Sequence, residues 1–352
     1  MVLAAGKAVR LRPLTADCAK AVVPFLNRPL LDYTLDWLRR CGFREVWINL
    51  HHQPDSIAGT YGKLAFQMRI RYSVEERLLG TAGGPRRILE QLRPTTLLVN
   101  GDTVASLALG PLLRQHGSGA LATLGLYRGE SSRGYPTVTA SDAGRLIAFP
   151  GDPAPTTERT VEGVFSGVHL VEREVLESLP PDEPLGMVDP VYRSLLRAEL
   201  PVHALPLSGS WYEAGDPGRY IDAQLAALNH GHASLGYARS RRLLSSGYVS
   251  PDTHIENVRL EPPFLIGAGA RLKHGSILRG LVAADACRVE GGSRVTESVL
   301  WRGSNVGPRC RLHRVVVMEG VGVPPGTEAE EAVFTHEGMV PFGASAPPAS
   351  CP

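Results

Sequence analysis

At 352 residues the chain is long enough for two domains, each with its own core. Its 37 basic and 35 acidic residues leave a formal charge of only +2, which excludes the broad basic field that nucleic acid or an anionic membrane surface requires. The five cysteines form no Cys-x-x-Cys pair, so neither a zinc site nor a disulfide framework is implied, and scattered thiols fit a cytoplasmic protein. The opening Met1-Val-Leu-Ala-Ala-Gly6 is too short for a signal-peptide core, and no apolar run is long enough to span a membrane.

In chain order, residues 2–5 read as a short buried strand. Residues 29–40 carry Leu30, Leu31, Thr34, Leu35 and Leu38 on one helical stripe that stops at Gly42. Residues 45–49, 68–74 and 95–99 read as further strands, the last running into Asn100-Gly-Asp102. This alternation predicts a parallel sheet covered by helices, with a ligand cleft at the carboxyl ends of its strands. After about residue 240 the helical period disappears and aliphatic residues recur in steps of six: Val249 and Ile255, then Ile266, Leu272 and Leu278, then Val289 with Val295, and Val306 with Leu312. Longer steps of about 17 residues join Val249 to Ile266, Val289 to Val306 and Val306 to Val323. Six-residue steps, three to a coil, are the signature of a triangular parallel β-helix, with aliphatic residues inside and small residues at the corners. Residues 336–352 are small, polar and proline-rich, and are expected to be disordered and without chemistry.

Four stretches carry chemistry. The first is Leu3-Ala-Ala-Gly-Lys-Ala-Val-Arg-Leu-Arg-Pro-Leu-Thr15, with Lys20 beyond it. A strand ending in a small-residue turn lets backbone N–H groups approach a triphosphate, and Arg10 and Arg12 add guanidinium forks for phosphate oxygens. The second is Glu75-Glu-Arg-Leu-Leu-Gly-Thr-Ala-Gly-Gly84, in which Gly80 and Gly83 would let backbone lie against a flat base. The third is Val99-Asn-Gly-Asp102, a carboxylate at a strand end suited to Mg²⁺ on substrate phosphates. The fourth is Trp211-Tyr-Glu-Ala-Gly-Asp-Pro217, followed by Tyr220. The tandem His51-His52 is expected to be structural or solvent-facing, because neighbouring side chains on extended backbone face opposite ways and cannot both bind one ion without distortion.

Together these stretches resemble the sugar-nucleotide pyrophosphorylase family, whose hallmark is a Gly-rich loop ending in Arg-Leu-x-Pro-Leu-Thr and then a Lys-Pro-x-x-x-Pro segment, here Lys20-Ala-Val-Val-Pro24. The resemblance implies a Rossmann-like nucleotidyltransferase domain of GT-A type over residues 1–232 and a left-handed parallel β-helix over 248–335. A linker over 233–247, with Arg239-Ser-Arg-Arg242 as a solvated basic turn, would join them. It further implies that Arg10 and Lys20 are catalytic and that Leu3, Ala4, Ala5, Gly6, Glu75, Gly80 and Thr81 bind the nucleotide. Gly83, Gly167 and Asp189 would face the sugar, with residues 189–192 closing the pocket, and Asp102 and Glu213 would hold Mg²⁺. Ala8 replaces the loop's second glycine, Ala21 the proline after the lysine, and Glu213 an aspartate. Gly151 and Asp152 stand where the family has a Glu-Lys pair that grips the sugar, so that grip does not carry over. The chain starts almost at the loop, which points to a late-assigned start.

The expected reaction joins an NTP and a sugar 1-phosphate into an NDP-sugar and pyrophosphate. The layout and the Leu-Gly-Thr-Ala-Gly stretch look most like the mannose-1-phosphate guanylyltransferase branch, with uridylyl- and thymidylyltransferases as alternatives. Ala8, Ala21 and Glu213 would also suit a catalytically silent NDP-sugar-binding subunit, and acyltransfer on the β-helix, with His274 or His313 as base, is a remoter alternative. The β-helix is expected to mediate self-association.

Overall fold

The computed structural model describes residues 1–117, 119–153, 159–229, 242–244 and 247–344, with backbone only at 242–244. Of the expected linker, residues 233–241, 245 and 246, with most of Arg239-Ser-Arg-Arg242, lie outside the described residues, as does the tail beyond Ala344, while Arg242–Leu244 pairs as a strand antiparallel to Gly247–Val249. Two compact units divide the chain: Met1–Lys7 with Leu31–Tyr212, and Ala8–Leu30 with Glu213–Pro352. The polypeptide therefore passes from one unit to the other inside the small-residue loop, a division that a contiguous boundary near residue 232 does not capture.

The first unit is built on a mixed sheet. Val2–Leu3 lies between Glu45–Leu50 and Thr95–Asn100, parallel to both, and Met68–Val74 continues the parallel half beyond Glu45–Leu50. The predicted strands are present. The other half departs from an all-parallel expectation. The 13-residue strand Thr160–Glu172 runs antiparallel to Thr95–Asn100, to Ala122–Tyr127 and to Thr137–Ser141. A tight turn accounts for part of this: Thr137–Ser141 returns as Leu146–Ala148 through Ser141 N–H to Arg145 O and a left-handed Gly144, and such a short turn admits only an antiparallel neighbour.

Helix Leu30–Arg40 forms where the apolar stripe was read, with Leu30, Leu31, Thr34, Leu35 and Leu38 all buried. Trp37 adds an indole N–H bond to Leu107 O at 2.9 Å. Gly42, at φ +97°, ends it, while Phe43 N bonds Leu38 O at 3.1 Å, the pattern of a glycine-capped helix end.

The second unit contains two parallel sheets wound as a β-helix. Leu272 lies beside Val289, Val289 beside Val306 and Val306 beside Val323, the 17-residue offset read from the sequence. Ile266, Leu272, Leu278, Val289, Val295, Val306 and Leu312 all sit in one buried core. Three sets of left-handed residues turn the corners, exemplified in one coil by Gly303, Arg309 and Arg314. Two expectations are corrected. Ile255 is 38% exposed, because its strand His254–Ile255 is the terminal one of its sheet and stacks on Arg271–Leu272 alone. The stretch assigned to a disordered tail from residue 336 includes a strand, Gly338–Pro341, paired antiparallel to Glu328–Thr335 and so covering the free edge of the last coil.

The coil repeat slips by one residue between Glu261 and Phe264, where Pro262 and Pro263 fall. Proline lacks the N–H that a regular ladder needs, so the pair is accommodated as a bulge. Helix Pro217–Asn229 packs along the long β-helix strands and buries Pro217, Tyr220, Ile221, Gln224 and Leu228.

Candidate active site

In the first unit, the carboxyl end of Val2–Leu3 opens into Ala4, Ala5 and Gly6. Leu3 O accepts a hydrogen bond from Gly101 N at 2.8 Å, which ties the loop to the turn carrying Asp102. Gly6 is exposed, and a Cβ built there would meet nothing within 4 Å, so this end of the loop offers open ground to a ligand. Asp102 is half-buried between strands Thr95–Asn100 and Thr103–Leu107. Gly167, at φ +74°, sits against Asn100, whose side chain would collide with any Cβ there. That contact explains the glycine without a sugar.

The 75–84 stretch is built differently from the sequence expectation. Glu75 is buried, its two carboxylate oxygens accepting from Asn49 Nδ2 at 2.8 Å and Leu79 N at 2.9 Å. Asn49 Oδ1 in turn accepts from Ala4 N at 2.8 Å. Glu75 is thus an internal clamp between the loop and the 75–84 stretch, rather than a direct contact for a nucleotide. Gly80–Arg87 is a helix, and Cβ atoms on Gly80 and Gly83 would collide with the carbonyls of Leu185 and Glu183. The close approach these glycines allow is therefore to the chain's own 183–186 segment, held by Ala82 N to Leu185 O at 2.9 Å and by Met187 N to Thr81 Oγ1 at 2.7 Å. Asp189 is exposed close by, but Tyr192 is fully buried with its hydroxyl on His169 Nδ1, so it belongs to the core and does not close a pocket. Burial pulls His169 down to about 3. Asp152, at one of the missing sugar-gripping positions, is taken up by Arg193, whose guanidinium lies over the Phe149 ring. His51 Nδ1 meets Glu75 O at 3.0 Å.

In the second unit, Ala8 adopts a left-handed conformation (φ 45°, ψ 42°), the backbone state for which the family's glycine is suited. Its carbonyl accepts from Leu11 N at 3.0 Å and from Thr15 Oγ1 at 3.1 Å, closing the turn that presents Arg10. The Arg10 side chain is 69% exposed and lies 3.8 Å from the Glu213 carboxylate, an arrangement worth little by itself in solvent. Arg10 and Arg12 line a cavity of about 540 Å³ together with Val9, Asp216, Pro217 and Phe342. Phe342 belongs to the stretch expected to carry no chemistry. No local sequence signal marked it, since its place depends on Phe342 N bonding Glu331 O across the last coil. Lys20 opens a 3-10 turn, Lys20–Val22, and is only 6% exposed, which holds its ammonium in one place.

Asp102 and Glu213 fall in different units, each offering the hard oxygen donors that a divalent cation takes. Among the described residues no three His, Cys, Asp or Glu side chains gather as a metal cluster. Taken singly, each is a carboxylate of the kind that holds Mg²⁺ when water and substrate oxygens complete the ion's shell.

The first unit thus offers an exposed glycine at a strand-end loop and a half-buried strand-end carboxylate, and the second an exposed arginine on a tight turn. The family model described as Nucleotidyl transferase matches residues 1–230. The chain belongs to that family. A second model, described as GlmU-like, C-terminal hexapeptide, matches residues 252–332, where the coils stack. Among curated relatives, a UTP--glucose-1-phosphate uridylyltransferase of Synechocystis sp. is 26% identical over 89% of this chain and 85% of its own. A mannose-1-phosphate guanylyltransferase of Mycobacterium tuberculosis is 29% identical over 83% and 81%. A glucose-1-phosphate thymidylyltransferase of Streptomyces griseus is 24% identical over 94% and 95%. Within this nucleotidyl transferase, no helix among the described residues is long and apolar enough to cross a membrane.

Proposed function

We propose that the protein transfers a nucleotidyl group from an NTP to a sugar 1-phosphate, releasing pyrophosphate, with GTP and mannose 1-phosphate as its pair. The observation that carries this reading is the cationic loop itself. Arg10 stands exposed at the cavity on the turn Val9–Leu11 and Lys20 is held buried at the later turn Lys20–Val22, both following the strand-end loop within a family-matched domain. The guanylyltransferase relatives favour the substrate pair, and the uridylyl- and thymidylyl-named relatives set the alternatives to test.

The sugar phosphate oxygen is already anionic and needs no general base. Attack on the α-phosphorus expels pyrophosphate in line, so the protein's contribution is alignment and charge neutralisation. In this reading Arg10 holds the departing pyrophosphate and Lys20 neutralises charge that develops between the reacting groups. The loop from Leu3 to Gly6 meets the phosphates at its exposed Gly6 end, while exposed Thr81 lies toward the base and exposed Asp189 toward the sugar; Gly80, Gly83 and Gly167 act from behind, by admitting the chain segments packed against them. Asp102 and Glu213 would hold Mg²⁺, which when bound neutralises phosphate charge. We further place the protein in the cytoplasm and its β-helix in a homo-oligomer.

The test is pyrophosphate release from a panel of NTPs crossed with sugar 1-phosphates. Lys20→Ala and Asp102→Ala should each slow turnover by about a hundredfold or more while circular dichroism stays unchanged. No release from any pair, or near-normal turnover in both variants, removes this reading.

A further inference from the structure

The segment that carries Lys20 is held by the β-helix unit. Immediately after the Lys20–Val22 turn, residues 24–29 form a hairpin, Pro24 opposite Pro29 and Phe25 opposite Arg28. The two residues at its tip, Leu26 and Asn27, both have positive φ, +46° and +64°. A two-residue hairpin turn calls for that conformation and Asn27 takes it readily, whereas Leu26 carries a side chain for which it is unfavourable and needs support from its surroundings.

The surroundings here are specific. Asn27 Nδ2 donates to Ala283 O, on a long β-helix strand, at 2.9 Å. Leu26 N donates to Gln224 Oε1 at 2.8 Å. The Tyr220 hydroxyl donates to Pro24 O and itself accepts from Trp301 Nε1 at 3.0 Å. Tyr220 and Gln224 stand one turn apart on helix Pro217–Asn229, and both are fully buried. Trp301 is fixed by the coils on either side, its backbone N–H donating to Val317 O at 2.9 Å and its carbonyl accepting from Cys287 Sγ at 3.0 Å.

Little slack separates this anchor from Lys20. Val23 N bonds Lys20 O at 3.1 Å, Leu30 N bonds Val23 O at 3.0 Å, and Ala21, Val23 and Phe25 are all buried. We propose that Tyr220, Gln224, Trp301 and Asn27 are positioning residues for Lys20, so that the β-helix, through the strained 24–29 hairpin, sets where the catalytic ammonium stands. This rests on the assignment of Lys20 to the reacting phosphate. It gives the β-helix a part in turnover as well as in assembly.

The experiment is a double-mutant cycle on full-length protein with Tyr220→Phe, which removes the bridging hydroxyl, and Lys20→Ala, read by pyrophosphate release. Tyr220→Phe should lower kcat about tenfold, the order expected when a catalytic group is slightly misplaced, with KM for the NTP nearly unchanged. In the Lys20→Ala background the same substitution should cost nothing further. Asn27→Ala, at a half-buried position, should repeat the pattern and serves if Tyr220→Phe does not fold. Hydrogen exchange at the Leu26 amide should quicken in both variants. Additive losses in the double mutant, or full kcat in Tyr220→Phe and Asn27→Ala, would overturn the relay. A Lys20→Ala protein with normal turnover would instead overturn the catalytic assignment beneath it.

Discussion

At the residue scale, two of the loop's small residues behave in opposite ways. Gly6 has open space where a side chain would stand, whereas Ala8 carries its methyl in a left-handed conformation. Ala8→Gly should therefore stabilise the protein by about 1 kcal/mol, because the strain of that conformation exceeds the extra chain entropy glycine brings to the unfolded state. Urea unfolding of the two proteins checks this, and an unchanged or lower midpoint would reject it. His169 gives a second prediction. Burial holds it neutral in the fold, at about 3, against 6.5 for the free side chain. The unfolded chain thus takes up a proton that the folded chain refuses. The stabilisation is complete above pH 6.5 and is lost as pH falls toward 3, at up to about 1.4 kcal/mol per pH unit. His169→Gln should lose roughly one proton from the acid-side slope of unfolding free energy; equal slopes would refute the assignment.

At the element scale, the 75–84 stretch shows how a motif can be read correctly and its local physics misread. Its glycines do allow a close backbone approach, but what approaches is the 183–186 segment, which the helix Gly80–Arg87 packs against. Gly83→Ala should accordingly cost about 1–3 kcal/mol through overpacking against the Glu183 carbonyl. Gly6→Ala should leave stability within about 0.5 kcal/mol and show its effect only in the KM for the NTP. Equal stability losses in the two variants, measured by denaturation, would contradict this contrast. The same reasoning separates Asp102, which stays half-exposed at a strand end, from Glu75, whose carboxylate is engaged by Asn49 and Leu79.

At the scale of the whole molecule, the β-helix is a stack in which each coil touches only its neighbours, so a core cavity in one coil weakens the column. Leu272→Ala should cost about 2–5 kcal/mol, seen as a lowered midpoint of thermal or denaturant unfolding, and a change below 1 kcal/mol would not fit a packed coil interior. Much of this architecture was legible in the sequence. The six-residue step named the interior positions from Ile266 to Leu312, and the strand-then-loop order named the first sheet's parallel half, because both are periodicities carried by neighbours along the chain. The motif residues that resemble the family were legible for the same reason: they are clustered in short stretches. Other features could not be read locally. That Ile255 is exposed, that Gly338–Pro341 pairs as a strand, that Phe342 lines the Arg10 cavity and that Trp301 supports Pro24 through Tyr220 all depend on what stacks where. By itself the sequence determined the first sheet's parallel strands, the helix Leu30–Arg40 and the interior of the coils. Only the tertiary structure decided which glycines face solvent and which face the chain, and to which compact unit the Lys20 segment belongs, because those outcomes are set by contacts between residues tens to hundreds of positions apart.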